Sequence, residues 1–356
     1  MSNKEHLINE FDPNGVGEIG KIFGLPFSEE ESEMILIPVP WEVTVSYRAG
    51  TADGPNSILE ASAQVDLFVN DIPNAWTMGI CMLPPSETLL QENIKFRDLA
   101  SKYISMQESG KRIEEYPEMA VVPKAVNEIC EKLNIYIKSE ATRHLNNGKL
   151  VGLVGGDHST PLGLIRALND IHDDFGILQI DAHADLRKAY EGFKYSHASI
   201  MYNALACSNI SKLIQVGIRD CCDEEVKRIK GSNGRIVTFF DDEIKEAFYH
   251  GNTWKKMTEM IVSKLPQNVY ISFDIDGLDP KYCPNTGTPV PGGLEYQQAV
   301  YLIKQVAKSG RRIIGFDLNE VAPGSDEWDG NVGARLLYNL CNWMGVSNGR
   351  LKSSTP

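Results

Sequence analysis

Short apolar runs typical of buried strands alternate with segments of helical spacing, most clearly through the second half of the chain. Residues 121–147 show the helical type, since Val126, Ile129, Leu133 and Ile137 recur at helical intervals before Asn-Asn-Gly. Such alternation predicts an α/β fold, in which helices cover both faces of a mostly parallel sheet. The predicted strands are residues 34–40, 149–154, 175–180, 212–217, 235–240, 268–273 and 312–317. The predicted helices begin near residues 54 and 224 and span 121–147, 160–168, 253–265, 296–308 and 332–344.

We predict a single domain over residues 1–356, because the pattern contains no internal repeat and no linker. Residues 82–120 are the least regular part of the chain, with two adjacent prolines, many charges and no clean strand. We interpret this segment as a surface insertion. Helical structure stays open for this segment, and so do two roles, as part of an oligomer contact or as a lid.

Composition and charge narrow the class of protein. Of the 356 residues, 42% are hydrophobic and 23% are charged, which is ordinary for a globular protein. The net charge of -13 argues against a nucleic-acid partner, and the lack of any apolar run of about 18 residues argues against a membrane span. The polar N-terminal segment lacks a signal-peptide core, so we expect a cytoplasmic protein. Seven scattered cysteines indicate neither a disulfide framework nor a zinc knuckle.

Three potential metal ligands follow the predicted strand at 175–180 in the stretch Asp-Ala-His-Ala-Asp. Residues two apart in an extended chain point to the same face, so Asp181, His183 and Asp185 are expected to line one wall. In open α/β sheets, functional sites form outside the carboxyl ends of the strands. Taken alone, the triplet also fits a solvated acidic loop that contains a histidine.

Polar residues follow three other predicted strands at the same end. They are His158, the pair Asp274 and Asp276, and Glu320. Two histidines and four aspartates suit two divalent cations about 3.5 Å apart that share carboxylates. Ligands rich in carboxylate and free of sulfur favour Mn²⁺, with Ni²⁺, Co²⁺ and Zn²⁺ as the alternatives.

These stretches carry a family resemblance. Gly-Gly-Asp-His-Ser at 155–159, Asp-Ala-His-Ala-Asp at 181–185 and Ser-Phe-Asp-Ile-Asp-Gly-Leu-Asp-Pro at 272–280 resemble the three signatures of the ureohydrolases, the family of arginase and agmatinase. Asn-Glu-Val-Ala-Pro at 319–323 is similar to the fourth element, and the likeness covers roughly residues 34–345. The resemblance implies a three-layer α/β/α fold, a dimanganese centre and hydrolysis of a guanidino or related amidine group.

The resemblance also implies a role for each matching residue. His197 would carry a proton to the departing amine, and Glu320 would accept hydrogen bonds from the guanidinium. Asp185 would orient the attacking hydroxide. One metal ion would be held by His158, Asp181, Asp185 and Asp274, and the other by Asp181, His183, Asp274 and Asp276.

The loop at 186–199 is expected to set the substrate, and it looks more like the agmatinase branch than arginase. Arginase has an asparagine where this chain has Arg187, which would either clamp a carboxylate tail or serve a structural role. Glu191 would either receive a cationic tail or be a solvated charge. We therefore predict agmatine as the substrate, with guanidinobutyrate, guanidine, arginine and formiminoglutamate as alternatives. Formiminoglutamase-like sequences usually lack the histidine found at His197, which disfavours the last of these.

Two other classes of protein compete with this interpretation. A deacetylase-like hydrolase of the same fold would use one zinc ion and needs only three ligands, whereas six are present here. A non-catalytic binding relative would have lost ligands, and none is missing. By analogy with the family, we also expect a homo-oligomer, either a trimer or a hexamer.

Overall fold

The computed structural model describes residues 2–354, so Met1, Thr355 and Pro356 of the predicted domain lie outside the described residues. The strands are β1 (Met34–Val39), β2 (Ile80–Met82), β3 (Leu150–Gly155), β4 (Phe175–Ile180), β5 (Ile210–Ile218), β6 (Ile236–Phe240), β7 (Asn268–Asp274) and β8 (Arg312–Asn319). The helices are α1 (Asn3–Glu10), α2 (Gly54–Ser62), α3 (Glu87–Glu108), α4 (Val122–Asn146), α5 (Leu162–Asn169), α6 (Ile200–Ala204), α7 (Asp223–Gly231), α8 (Asp241–Tyr249), α9 (Trp254–Ser263), α10 (Tyr296–Lys308) and α11 (Trp328–Ser347).

The strands and helices predicted from hydrophobic spacing are confirmed, mostly with ends that differ by one or two residues. The prediction missed α1, β2, α6 and α8. Strand β2 has only three residues and lies at the edge of the sheet, and α6 has only five, so neither shows a clear period. Helix α8 begins directly after β6, and its signal is the acidic first turn at 241–243, which suits the positive end of a helix.

Helices cover both faces of the sheet, which confirms the three-layer α/β/α fold class. Along β4, Ile177 packs into the hydrophobic cluster formed with α3, α4 and α5, and the next residue, Leu178, packs into the cluster formed with α2, α9, α10 and α11. Both side chains are fully buried, as expected for a strand in a parallel sheet covered on both sides. Among residues 2–354, no helix is both long enough and apolar enough to cross a membrane.

The order of the strands positions the site. The described strands form one sheet in the order β2-β1-β3-β8-β7-β4-β5-β6, and neighbouring strands are parallel. The chain passes from β3 to β4 across a space that β8 and β7 later fill. The four central strands therefore present their carboxyl ends side by side, where the strand order reverses and ligand sites commonly form.

The segment at 82–120 consists mostly of α3. The helix begins after Ser86, whose hydroxyl accepts a hydrogen bond from the Leu89 N–H at 3.4 Å. Leu89, Tyr103 and Ile104 are buried in the cluster that contains α4. The helical interpretation is therefore confirmed, whereas the status of the segment as an insertion remains a prediction.

Candidate metal centre

The first group of candidate ligands surrounds His158, which follows β3. Its Nδ1 lies 3.0 Å from Asp181 Oδ2 and 3.1 Å from Asp185 Oδ2, two carboxylates that follow β4. Asp274 Oδ2, at the end of β7, lies 3.3 Å from the same nitrogen. All four side chains are buried. Three strand ends therefore converge on one imidazole nitrogen.

The second group contains Asp181, His183 and Asp276. His183 Nδ1 lies 3.0 Å from Asp276 Oδ2 and 3.7 Å from Asp181 Oδ1. The other oxygen of Asp276 accepts a hydrogen bond from the Ala182 N–H at 2.9 Å, which ties the loop after β7 to the loop after β4. Asp181 belongs to both groups, so the two groups adjoin.

The geometry of these groups fits metal ions. Three residues of the first group, His158, Asp181 and Asp185, each offer one ligand atom within 4.8 Å of the others, and so do the three residues of the second group. In the described part of the chain, His158 Nδ1 and Asp276 Oδ2 are buried without a hydrogen-bond partner, although other candidate ligand atoms lie only 3.0 Å away. Ligand atoms that lie this close together without forming hydrogen bonds are typical of a site where all of them bind the same ion. Buried polar atoms are rarely unpaired, and a cation at that site would satisfy both.

A second set of buried polar side chains, which sequence reasoning missed, holds the candidate ligands. Gln179 Nε2 donates a hydrogen bond to Asp181 Oδ2 at 2.7 Å. Ser272 Oγ lies 2.8 Å from His158 Nε2 and donates to Asp317 Oδ1 at 3.0 Å. Each of these residues interrupts an apolar strand with a polar side chain, and this interruption is the signal that could have revealed them.

One cavity of about 160 Å³ opens onto both groups. Its lining combines four of the six candidate ligands with His197 and Glu320. The remaining lining residues are Ser46, Arg187, Tyr190, Ala198, Asp220, Cys221, Glu225 and Thr288. Sequence reasoning did not select Ser46 or Thr288, because each lies in a loop without a recognisable motif, and within the loop at 186–199 it did not single out Tyr190.

Comparison with known proteins identifies the family. The model described as the arginase family matches residues 32–342. The chain belongs to the arginase family. It is 31% identical over 322 residues to the N(1)-aminopropylagmatine ureohydrolase of Thermus thermophilus, an alignment covering 90% of this chain and 94% of the relative. It is 28% identical to the agmatinase of Halalkalibacterium halodurans, over 86% of this chain and 90% of the relative.

A solved structure agrees in fold with this arginase-family chain. The agmatine ureohydrolase of Thermoplasma volcanium matches it with a TM-score of 0.69 and 23% sequence identity, over 97% of this chain and 99% of the other. The arginase-family fold, combined with two adjoining groups of buried histidine and aspartate ligands, indicates a binuclear metal site.

Crowded charges shift several pKa values at this arginase-family site. Burial opposes protonation of His158, yet the nearby carboxylates of Asp181, Asp185 and Asp274 raise its pKa well above the ordinary value. Burial and the charges of Asp276 and Asp181 raise the pKa of Asp274 well above its usual range. Carboxylates forced together in this way would be relieved of their mutual repulsion by a bound divalent cation.

His197 lies in the cavity wall, at the start of a short 3₁₀ turn over His197–Ser199. Its backbone N–H donates to Thr44 Oγ1 at 3.3 Å, and the Tyr190 ring contacts the imidazole edge-on with a centroid distance of 6.2 Å. Burial, followed by the positive charges of His183 and His158, lowers the pKa of His197 to about 3. The imidazole is therefore neutral at neutral pH.

Glu320 has a left-handed backbone with φ of 63°, which is strained for a residue other than glycine. Its N–H donates to the Gly156 carbonyl, and its own carbonyl accepts from Thr286 Oγ1, both at 2.8 Å. Oε1 accepts a hydrogen bond from the His158 N–H at 2.8 Å. A side chain at Gly287 would come within 2.9 Å of Oε2, so glycine at that position leaves the second oxygen accessible from the cavity.

Arg187 lines the cavity, but its positive charge is already partnered. Its guanidinium lies over the Tyr190 ring, 5.0 Å from the centroid, and its Nε lies 3.8 Å from Glu225 Oε2. The geometry supports the structural interpretation of Arg187 at least as well as the carboxylate clamp.

The structure does not bring Glu191 into the cavity. Glu191 and Gly192 both have positive φ, at 52° and 82°, and form the turn between Tyr190 and Phe193. One carboxylate oxygen is buried without a hydrogen-bond partner among the described residues. Burial, followed by the negative charge of Glu108, raises the pKa of Glu191 to about 7. The residue is therefore neither a solvated charge nor a wall of the cavity.

Replacing Glu191 with glutamine is expected to change the pH dependence of stability and to leave catalysis unchanged. The folded protein binds this proton more tightly than the unfolded chain, so stability falls as the pH rises from about 4.5 to about 7. Glutamine cannot titrate, so the variant should lose less stability than the unmodified chain over that range in urea unfolding. An equally steep loss would contradict the buried carboxylate.

Proposed function

We propose that this chain hydrolyses the guanidino group of a small amine-type substrate, most specifically agmatine, to urea and putrescine. The observation that carries the proposal is one cavity, because it combines both candidate metal groups with the half-buried, neutral imidazole of His197 and the carboxylate of Glu320. In a one-zinc hydrolase, the second group of candidate ligands would bind no metal ion. Counting the metal ions bound per chain separates these two possibilities.

We propose Mn²⁺ at both metal positions, with Ni²⁺, Co²⁺ and Zn²⁺ as the alternatives. The oxygens of Asp181, Asp185 and Asp274 lie 3.0, 3.1 and 3.3 Å from His158 Nδ1, so these side chains would fit around one cation. Ligands rich in carboxylate and free of sulfur favour Mn²⁺. The first ion would be held by His158, Asp181, Asp185 and Asp274, and the second by Asp181, His183, Asp274 and Asp276.

The side chains of this cavity suit each step of guanidino hydrolysis. Glu320 accepts hydrogen bonds from the planar guanidinium and so presents its carbon to the attacking water. Asp185 orients that water. When bound, a pair of divalent cations lowers the pKa of a shared water, which makes it a nucleophile at neutral pH. His197 is neutral, so it takes up a proton before it delivers one to the departing amine.

The charges around the cavity favour a substrate with an amine tail. The Asp220 side chain lines the cavity 3.9 Å from His183 Nε2 and is 67% exposed, so its carboxylate can receive a cation. Arg187 is paired with Glu225 and therefore presents little net positive charge to a tail. Two relatives bear names that specify agmatine or an aminopropyl derivative of it, which supports the same substrate class.

A panel of guanidino compounds tests the proposal. The manganese-loaded chain is assayed for urea with agmatine, N(1)-aminopropylagmatine, guanidinobutyrate, arginine and guanidine, and for formamide with formiminoglutamate. We expect the highest kcat/KM with an amine-tailed compound. Replacing Arg187 with methionine should change that kcat/KM by less than about threefold relative to the unmodified chain, because the arginine does not bind the tail. Preference for guanidinobutyrate, lost in the Arg187 variant, would instead favour the carboxylate clamp.

We further propose that the chain acts in the cytoplasm as a homo-oligomer, either a trimer or a hexamer. All seven cysteines are unpaired thiols, which suits a reducing compartment. Light scattering after size-exclusion chromatography would measure the number of chains, and a monomer at micromolar concentration would refute the oligomer.

A further inference from the structure

Helix α3 reaches beneath the loop at residues 42–50, which contributes Ser46 to the cavity wall. Asn93 is buried, and its Oδ1 accepts a hydrogen bond from the Glu42 N–H at 2.8 Å. One turn further along the helix, Arg97 Nη1 donates to the Val45 carbonyl. Two side chains of α3 therefore fix the start and the middle of this loop.

The carbonyl that Arg97 binds lies between two residues of the candidate site. On one side, Thr44 Oγ1 accepts a hydrogen bond from the His197 N–H at 3.3 Å. On the other side, Ser46 lines the cavity. The Val45 carbonyl shares a rigid peptide unit with the nitrogen and Cα of Ser46, so its displacement would move Ser46 directly and would loosen the adjoining Thr44. Arg97 therefore influences the position of His197 and of the cavity wall through the loop backbone, although it contacts neither directly.

The same helix also contacts the loop at residues 186–199, which contributes His197 and Tyr190 to the lining. The buried Tyr103 packs against Phe193, with ring centroids 5.6 Å apart. Its hydroxyl also lies 3.4 Å from where a side chain on Gly192 would begin, so the turn rests directly on the helix. One helix therefore contacts two of the loops that line the cavity.

We propose that Arg97, assisted by Asn93 and Tyr103, is a positioning residue that sets the width of the substrate cavity. Helix α3 holds the two loops at a fixed separation, so the cavity accepts a narrow range of substrate tails. The segment at 82–120 thus supports the loops of the site and does not close over it as a lid. We call the contacts of Asn93, Arg97 and Tyr103 with the two loops the buttress. The substrate part of this inference rests on the proposed function, whereas the effect on the loops does not.

Hydrogen exchange with and without Arg97 tests the buttress independently of activity. In the Arg97→Met variant of the full chain, we expect amides of residues 42–50 and 186–199 to exchange at least about tenfold faster. Amides of β4 and β7 should be unchanged. The matched control is Lys102→Met, which removes a cation from the same helix, where Lys102 pairs with the exposed Asp98. Exchange in both loops equal to that of the control would overturn the proposal.

Kinetics distinguish positioning from a general loss of structure. With Arg97→Met we expect the KM for agmatine to rise about tenfold or more, while metal content stays at the level of the unmodified chain. The rise should be smaller for guanidine, which has no tail to place. Arg97→Lys keeps a donor and should recover part of the effect, and it serves as the test if the methionine variant does not fold. An equal loss for both substrates, accompanied by loss of metal, would overturn the proposal.

Failure of the proposed function has a different signature. If the unmodified chain hydrolyses no guanidino compound, the substrate assignment is wrong, and faster exchange in both loops of the Arg97 variant still supports the buttress. If the unmodified chain is active and its loops exchange normally in the variant, the buttress alone is wrong.

Discussion

Replacing Asp181 with asparagine is expected to lower urea formation by more than about a thousandfold, the largest effect of any single substitution in the chain. Asp181 belongs to both groups of candidate ligands, so its loss weakens both metal positions at once. An amide has one neutral oxygen acceptor and cannot bridge two cations as a carboxylate does. Elemental analysis of the purified variant should find fewer than two ions per chain.

The matched control for this substitution is Asp223→Asn. Asp223 is an exposed aspartate in the first turn of α7 and belongs to neither ligand group. The Asp223→Asn variant should keep full metal content and activity. Two tightly bound ions in the Asp181 variant, together with normal turnover, would show that the carboxylate does not bridge them.

The second large effect is expected for His197→Asn, with a fall in kcat of about 10² to 10⁴ and little change in metal content. Asparagine is polar and of similar breadth but cannot carry a proton, so binding should survive while proton transfer fails. Because burial and nearby charges lower the pKa of His197 to about 3, the folded state binds this proton less tightly than the unfolded chain. Its contribution to stability is therefore present above about pH 6.5 and is lost as the pH falls toward 3.

Both effects of His197 can be measured with one pair of variants. Values of kcat, KM and the urea midpoint of unfolding are compared from pH 5 to 8 for His197→Asn and for His172→Asn. His172 lies near the amino ends of the strands, close to Arg312, and takes no part in the cavity. Full turnover in the His197 variant with a substrate whose amine departs slowly would refute the proton-transfer role.

The sequence predicts most of the fold because the apolar periods of buried strands and amphipathic helices are local. The run at 175–180 is fully buried on both faces of the sheet, so every residue in it except Gly176 and Gln179 is apolar. The burial of such runs also predicts where the candidate ligands lie. Polar residues just after a buried strand must lie beyond the carboxyl end of that strand. The three-residue β2 lacked enough residues to show any period.

Other parts of the site depend on contacts between distant segments that leave no local pattern. Arg97 and Val45 are 52 positions apart, and nothing in the helical spacing of α3 indicates which arginine reaches a loop carbonyl. Glu191 was expected either to bind a tail or to face solvent, but the turn with Gly192 directs it elsewhere. Left-handed backbone at Asp185 and Glu320 likewise depends on tertiary hydrogen bonds that no residue preference indicates.

The central position of β7 and β8 in the sheet has a consequence for biosynthesis. Strands β3 and β4 do not pair with each other, because β8 and β7 lie between them in the sheet. These two strands are the last to be synthesised. A nascent chain that has reached only residue 265 would therefore have two separate sheet fragments, each with an exposed edge open to aggregation. Asp274 and Asp276, the last of the candidate ligands, lie at the end of β7 and just after it, so the candidate metal centre would be completed only once β7 has been made.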